Sequence, residues 1–162
     1  MTQTEEAWEY AEADTQYHVH GLHSYPARMI PQIANRLIQL KSKPGELVLD
    51  PFCGSGGVLV ESLLMGRNTI GVDINPLAHL IARVKTTSLE PQTLAEFAEN
   101  LLARVRKDIH SLREGTLSAQ PPYFKNIYHW FKRNVVEELA TVRNAIVKTV
   151  PKEQTEPYHN FF

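Results

Sequence analysis

The amino-acid sequence predicts an α/β fold built on a parallel sheet, and two apolar segments carry that prediction. The first, Leu47-Val48-Leu49-Asp50, ends in a carboxylate and enters the turn Pro51-Phe52-Cys53-Gly54-Ser55-Gly56. The second, Thr69 to Ile74, has Asp73 near its end. Short apolar runs of this kind are typical of strands buried on both faces, and the helical run Val58 to Met65 lies between them. We therefore expect two parallel strands joined by a helix.

Helical periodicity dominates the rest of the chain. Apolar residues recur at intervals of three and four, which is typical of helices that bury one face. The predicted apolar faces are Met29, Ile33, Leu37 and Leu40; Val58 to Leu64; Leu77, Leu80, Ile81 and Val84; Leu94, Phe97, Leu101, Val105, Ile109 and Leu112; and Val135, Leu139, Val142 and Ile146. Two strands among so many helices would leave sheet edges open, which folded domains avoid. Together with the apolar ending His159 to Phe162, this predicts an incomplete domain, truncated or half of a split enzyme.

Composition excludes several classes of protein. The chain is 43% hydrophobic and 22% charged and has no long apolar run, so we expect a cytoplasmic globular protein without a membrane partner. The single cysteine, Cys53, excludes an internal disulfide. His18, His20 and His23 lie close in sequence, but no fourth ligand accompanies them on the same element, and no metal is predicted.

Three parts are expected along the chain. Residues 1–16 contain five acidic side chains and no lysine or arginine, and we expect a mobile acidic tail that Trp8 and Tyr10 could anchor. Residues 17–87 form the predicted cofactor-binding α/β part. Residues 88–162 form a helical insertion and the truncated or split C-terminal end, and Ser88-Leu89-Glu90-Pro91 is a helix-start signal at its beginning.

The glycine turn predicts a site for a nucleoside cofactor. Glycines let the backbone approach a ligand, the following helix offers free N–H groups, and an acidic residue after the next strand is placed to meet ribose hydroxyls. Leu59 stands where a dinucleotide-binding turn would have its third glycine, and no lysine lies between Lys43 and Lys85 to serve a triphosphate. A ribose, a base and a phosphate-free charged tail remain, and S-adenosylmethionine fits them.

Three of these residues also have simpler readings. Asp50 could order the glycine turn by accepting backbone N–H groups, a role compatible with binding the methionine ammonium. Asp73 could cap the helix that follows it instead of binding ribose. Cys53 is interpreted as a small space-filling residue and not as a nucleophile.

Three motifs resemble one family of enzymes. Asp50 to Gly56 resembles the Asp-Pro-Phe-x-Gly-Ser-Gly cofactor motif of DNA methyltransferases that act on exocyclic amino groups of adenine or cytosine. Upstream, His23-Ser24-Tyr25-Pro26-Ala27-Arg28 is similar to a segment that precedes this motif in a subset of them. Downstream, Gly71-Val72-Asp73-Ile74-Asn75-Pro76 is similar to their acidic ribose-binding turn. Asn126 to Leu139 resembles, more weakly, a helical segment that carries Trp and Phe.

The resemblance implies a Rossmann-like class I methyltransferase fold, incomplete in this chain, with a helical insertion. It also implies an S-adenosylmethionine site, in which the upstream segment helps to hold the methionine end. The expected cofactor-binding residues are His23, Tyr25, Pro26, Asp50, Pro51, Phe52, Cys53, Gly54, Ser55, Gly56, Asp73, Ile74 and Asn75. Double-stranded DNA with a flipped target base is the implied partner.

One element of the family pattern is absent. These enzymes carry an Asp/Asn/Ser-Pro-Pro-aromatic motif that binds the target amine and stacks on the base. The nearest string, Gln120-Pro121-Pro122-Tyr123, does not follow an apolar strand and is interpreted as a turn between helices. We therefore expect this chain to be the cofactor-binding portion, with no catalytic residue of its own and a second polypeptide supplying the catalytic half. A non-catalytic remnant or subunit, or an RNA methyltransferase, is the alternative.

Overall fold

The computed structural model describes residues 8–162, except for the side chains of residues 153 and 154. The chain divides into two compact units between Thr87 and Ser88. Within the described residues, no helix combines the length and the apolar character needed to cross a membrane.

The first unit is built on two parallel strands. After a short 3-10 helix, His18–Gly21, its elements are α1 (Pro31–Lys41), β1 (Leu47–Asp50), α2 (Gly57–Leu64), β2 (Asn68–Gly71) and α3 (Pro76–Thr86). Leu47 of β1 lies opposite Asn68 of β2, and Asp50 lies opposite Gly71. The helix α2 connects the strands and packs on both, as well as on α1 and α3. The predicted strand–helix–strand arrangement is therefore confirmed, although β2 ends three residues earlier than expected.

The prediction that these strands are buried on both faces is wrong. Leu49 and its partner Ile70 are 60% and 48% exposed. The opposite face lies under α2, where Gly71 approaches the side chains of Leu59 and Cys53. In the part of the chain that the structure describes, the sheet has two strands and a helical layer on one face, so its other face meets solvent.

The helices of this unit bury small residues more than the large ones expected. In α1 the buried residues are Pro31, Ala34 and Ile38, whereas Leu37 and Leu40 are exposed. In α3 the buried residues are Ala78, Ile81, Ala82 and Lys85, whereas Leu77 and Leu80 are exposed. The helices approach each other through alanine because a small side chain permits close packing, and the leucines lie beside the contact.

The second unit is helical. Its elements are α4 (Pro91–Arg113), α5 (Ile127–Trp130), α6 (Arg133–Thr149) and α7 (Lys152–Phe161), and α6 packs against the other three. The carboxylate of Glu90 accepts hydrogen bonds from the N–H groups of Gln92 and Thr93, so the predicted helix start is confirmed. The predicted face of α6 is wrong, because Leu139 is exposed and Val136, Ala140, Thr141 and Ala145 are buried.

Candidate functional site

The turn between β1 and α2 depends on Gly56. This residue has a φ of +78° and immediately precedes α2. A Cβ at this position would lie 2.9 Å from the Cβ of Ala82 in α3. Gly56 therefore allows α2 and α3 to pack closely, and its Cα faces that helix contact.

Asp73 connects the end of β2 to this turn. Its Oδ2 accepts a hydrogen bond from the N–H of Gly54 at 2.9 Å, and its Oδ1 accepts one from the N–H of Asn75 at 2.8 Å. These donors hold the pKa of Asp73 below its usual value, because they favour the carboxylate form. The turn-ordering role considered for Asp50 thus falls largely to Asp73, since Asp50 accepts one bond in the turn, from the N–H of Phe52 at 3.1 Å.

The helix-capping interpretation of Asp73 is wrong. The residue that caps α3 is Asn75, whose side-chain oxygen accepts a hydrogen bond from the N–H of Leu77 at 3.0 Å. The amide nitrogen of the same side chain donates to the hydroxyl of Tyr25 at 3.2 Å. Asn75 therefore joins the start of α3 to the segment before α1.

A cavity of about 290 Å³ opens above the turn. Six predicted site residues line it: Tyr25, Asp50, Phe52, Cys53, Gly54 and Ser55. Asp73 and Asn75 adjoin it through their bonds to Gly54 and Tyr25. The other predicted residues, His23, Pro26, Pro51, Gly56 and Ile74, do not line it. The cavity also contains Ala27, Arg28, Met29, Gly57 and Val58, which the residue-by-residue prediction did not include.

The segment before α1 forms one wall of this cavity. The ring of Tyr25 lies over the turn, 3.4 Å from where a Cβ on Gly54 would stand. Ala27 has a φ of +54°, which is unusual for a residue with a side chain. Such a backbone conformation persists only where the surrounding structure enforces it. Here Tyr25 and Arg28, on either side of it, both line the cavity.

A buried carboxylate on α2 holds this wall in place. Glu61 is 1% exposed, and its Oε1 accepts hydrogen bonds from the hydroxyl of Tyr17 at 2.6 Å and from Nε2 of His20 at 2.8 Å. Its Oε2 accepts one from the side-chain amide of Asn35 at 2.7 Å. The pKa of Tyr17 is raised by burial and by this carboxylate, so the hydroxyl stays a donor. Because a carboxylate only accepts, Nε2 of His20 carries the proton.

This network reaches the cavity through Arg28. The guanidinium of Arg28 donates to the carbonyl oxygen of His20 at 2.7 Å, and Arg28 lines the cavity. This network was not predicted from the sequence, although Glu61 is a single charged residue in the largely apolar helix α2. A carboxylate in such a place has to be paired with donors from other elements.

A second cation lies near Arg28. Lys85 on α3 is 7% exposed, and its pKa is lowered, first by burial and then by the charge of Arg28. Among the described residues no carboxylate forms an ion pair with it. Of the residues that line the cavity, Arg28 gives its wall a positive charge and Asp50 gives the other wall a negative one.

Two further predictions concern Cys53 and the histidines. Cys53 packs with Leu59 and Ala82, and burial raises the pKa of its thiol, which suits a space-filling residue. His20 is bonded to Glu61, and the ring of His18 packs edge-on against Tyr17. In the described residues no group of three or more His, Cys, Asp or Glu side chains is placed to hold a metal.

The predicted turn Gln120 to Tyr123 lies in the second unit. Residues 117–124 form neither helix nor strand, and they follow α4, which ends at Arg113. Tyr123 is 95% exposed. No strand precedes this segment among the described residues of the second unit, which agrees with its interpretation as a turn between helices.

The glycine turn, its two carboxylates and the β1–α2–β2 unit lie in a stretch of sequence that is shared with a known protein family. The sequence model described as DNA methylase matches residues 2–83, and the chain belongs to this family.

Curated relatives include type II methyltransferases and tRNA methyltransferases. The type II methyltransferase M.MvaI of Kocuria varians is 37% identical over 141 residues, which are 85% of this chain and 31% of that protein. The type II methyltransferase M.MjaII of Methanocaldococcus jannaschii is 36% identical over 97 residues, 60% of this chain and 18% of that protein. The tRNA (guanine(10)-N2)-dimethyltransferase of Methanothermobacter thermautotrophicus is 46% identical over 52 residues, 32% of this chain and 16% of that protein.

The chain thus spans less than a third of the length of these relatives. No solved structure matches it.

Proposed function

We propose that this chain is the S-adenosylmethionine-binding portion of a site-specific DNA methyltransferase that modifies an exocyclic amino group of adenine or cytosine. The observation that carries the proposal is the pairing of Asp73 with the glycine turn, beside a cavity that also presents Asp50 and Arg28. The proposed enzyme acts in the cytoplasm, and its sheet is the beginning of a Rossmann-like class I methyltransferase fold. The proposed domains are the tail 1–16, the cofactor part 17–87 and the helical part 88–162.

The charges of the cavity fit this cofactor. Asp50 offers a carboxylate to the methionine ammonium, and Arg28 offers a guanidinium to the methionine carboxylate. Asp73, two residues after β2, is proposed to accept hydrogen bonds from ribose hydroxyls. Phe52 and Ile74 are 88% and 100% exposed after the two strands, where they offer apolar surface to a base. When bound, S-adenosylmethionine supplies an activated methyl group.

The same arrangement disfavours a nucleotide phosphate. In phosphate-binding turns the backbone N–H groups point at the anion. Here the N–H of Gly54 is bonded to Asp73, and Asp50 lines the same cavity. A phosphate beside Gly54 would meet the carboxylate of Asp73 in place of a free N–H group, with the carboxylate of Asp50 in the same cavity, which supports the phosphate-free cofactor that the sequence predicts.

Within the cavity, the proposed role of this chain's residues is to bind the cofactor and to orient it. Tyr25 covers the turn, and Arg28 is fixed by its bond to the carbonyl of His20. Methyl transfer to an amine requires alignment of donor and acceptor, and a rigid cavity provides alignment. The groups that polarise the amine and hold the flipped base are proposed to come from outside this chain, on a second polypeptide or on further sequence.

An RNA substrate is the second candidate. Four relatives that match short stretches of this chain are tRNA methyltransferases or probable ones, and their printed chemistry concerns guanine N2, also an exocyclic amine. The longest of these matches covers 32% of this chain, against 85% for the Kocuria type II methyltransferase, and the family model is described as DNA methylase, so DNA is the preferred substrate. A non-catalytic cofactor-binding subunit remains the third candidate.

Methyl transfer distinguishes these candidates. The purified chain is incubated with labelled S-adenosylmethionine and either DNA or tRNA, with and without a polypeptide that carries the Asp/Asn/Ser-Pro-Pro-aromatic motif. We expect label in DNA only when that polypeptide is present. Label found only in tRNA would contradict a DNA substrate and support an RNA methyltransferase. Cofactor binding without methyl transfer in any mixture would favour a non-catalytic subunit. Transfer to DNA by the isolated chain, lost in Gln120→Ala, would show that residues 120–123 are catalytic.

A further inference from the structure

The second unit carries an exposed segment in which aromatic and basic side chains alternate. This aromatic–basic segment, residues 121–133, joins α4 to α6 and includes α5. Five of its aromatic residues are exposed: Tyr123 (95%), Trp130 (70%), Phe124 (53%), Tyr128 (50%) and Phe131 (47%). Large aromatic residues are normally the first to be buried, so a run of them on the surface marks a contact site.

The charge of the segment has one sign. Lys125, Lys132 and Arg133 lie within it, and no Asp or Glu occurs between Glu114 and Glu137. None of these three cations forms an ion pair among the described residues. On the neighbouring helices, by contrast, Arg104 pairs with Asp108 and Arg113 pairs with Glu138. The uncompensated positive charge therefore coincides with the exposed aromatic rings.

Local contacts shape this surface. Asn126 has a φ of +61°, so the backbone turns sharply between Phe124 and α5. The guanidinium of Arg133 lies over the ring of Tyr128, 4.8 Å from its centroid, and Trp130 packs edge-on against His129. A shallow cavity of about 590 Å³ is lined entirely by residues between Pro121 and His129. Three of the five rings, Tyr123, Phe124 and Tyr128, therefore line a concave surface within the segment.

We propose that the aromatic–basic segment binds a nucleic-acid strand. Lys125, Lys132 and Arg133 contact phosphates, and Tyr123 and Trp130 stack on unpaired bases. Proteins that bind single strands without sequence preference combine aromatic side chains with cations. This works for any sequence because every base has a flat face and every nucleotide has a phosphate. In a methyltransferase, such a surface would hold the nucleotides next to a base that has been removed from its stack. This role depends on the function proposed above.

Fluorescence anisotropy tests this proposal with labelled 20-nucleotide DNA, single-stranded and duplex, and the full chain without cofactor. We expect tighter binding to the single strand. Tyr123→Ala and Trp130→Ala should each weaken it about tenfold, whereas Tyr123→Phe, which keeps the ring, should not. Replacing Lys125, Lys132 and Arg133 by glutamine should reduce the slope of log affinity against log salt by about 2.

The control variant replaces three exposed cations elsewhere in this unit, Arg106, Lys107 and Lys148, by glutamine. An equal loss of affinity in this control would overturn the proposal, because general positive charge would then explain binding. Absence of binding, with self-association that Trp130→Ala abolishes, would instead assign the surface to a protein contact. Since no cofactor or methyl transfer is involved, the result is independent of whether the proposed enzymatic function holds.

Discussion

The two units use their polar residues in opposite ways. In the α/β unit, carboxylates are directed inward: Glu61 is buried under three donors, and Asp73 ties the glycine turn to β2. In the helical unit the hydrogen-bonded carboxylates lie at helix ends or on the surface, as with Glu90 and Glu138. Inward polar networks restrain the residues around them, which is what the cofactor site proposed for the α/β unit requires.

The two units also differ in their exposed apolar residues. In the α/β unit most of them are aliphatic, and Leu47, Leu49 and Ile70 lie together on the open sheet face. In the helical unit the largest group is aromatic, lies between Tyr123 and Phe131, and is accompanied by lysine and arginine. Aliphatic side chains on a sheet favour burial by a further protein layer, whereas rings with cations favour a charged, flat-faced partner.

The largest expected effect concerns the buried carboxylate. Glu61→Leu would leave Tyr17, His20 and Asn35 without their acceptor, and we expect the free energy of unfolding to fall by about 3–5 kcal/mol. Glu138→Leu removes the carboxylate partner of the exposed Arg113 side chain and should cost less than about 1 kcal/mol. Urea denaturation followed by circular dichroism measures both. Similar losses in the two variants would contradict the contrast between the units.

The next effect concerns two glycines with similar backbones. Gly56 and Gly115 have φ values of +78° and +74°, but only Gly56 has close neighbours where a Cβ would stand. Gly115→Ala should cost about 1 kcal/mol through backbone strain alone, and Gly56→Ala about 2–3 kcal/mol because α2 and α3 must also separate. The same denaturation experiment compares them. Equal losses would show that the contact with Ala82 contributes nothing.

The smallest effect depends on pH. The pKa of Asp73 in the folded protein is below its ordinary value of 3.8, so its carboxylate stabilises the fold fully above that pH. The contribution is lost as the pH falls through the lowered value. Asp73→Asn should therefore reduce the melting temperature slightly at pH 7, and the difference from the unsubstituted chain should vanish in stronger acid. Thermal melts from pH 2 to pH 7 check this, and a difference that grows in acid would contradict it.

Much of the α/β unit could be predicted because its signals are local. The strand, the turn and the acidic residue after β2 are each encoded within a few neighbouring residues, and both strands were located from them. Burial was harder to predict, since it depends on what covers an element. Leu49 belongs to a strand pattern, yet the described chain has no layer over it.

The helix faces and the buried network needed the tertiary structure. Periodicity alone favours leucine as the buried residue, but Ala34, Ala82 and Ala140 lie at the helix contacts because backbones approach most closely there. Glu61 is separated from His20 by 41 positions, and no local pattern joins them. Arg28 was visible only as the basic end of a motif, and its contact with His20 depends on the fold.

Calorimetric titration of the folded chain with S-adenosylmethionine tests the central claim most directly. We expect saturable binding heat, at least about tenfold weaker affinity in Asp73→Asn, and unchanged affinity in Glu90→Gln, the corresponding two-bond carboxylate of the helical unit. No heat and no thermal shift with the cofactor or its demethylated product, on protein shown to be folded, would contradict the account.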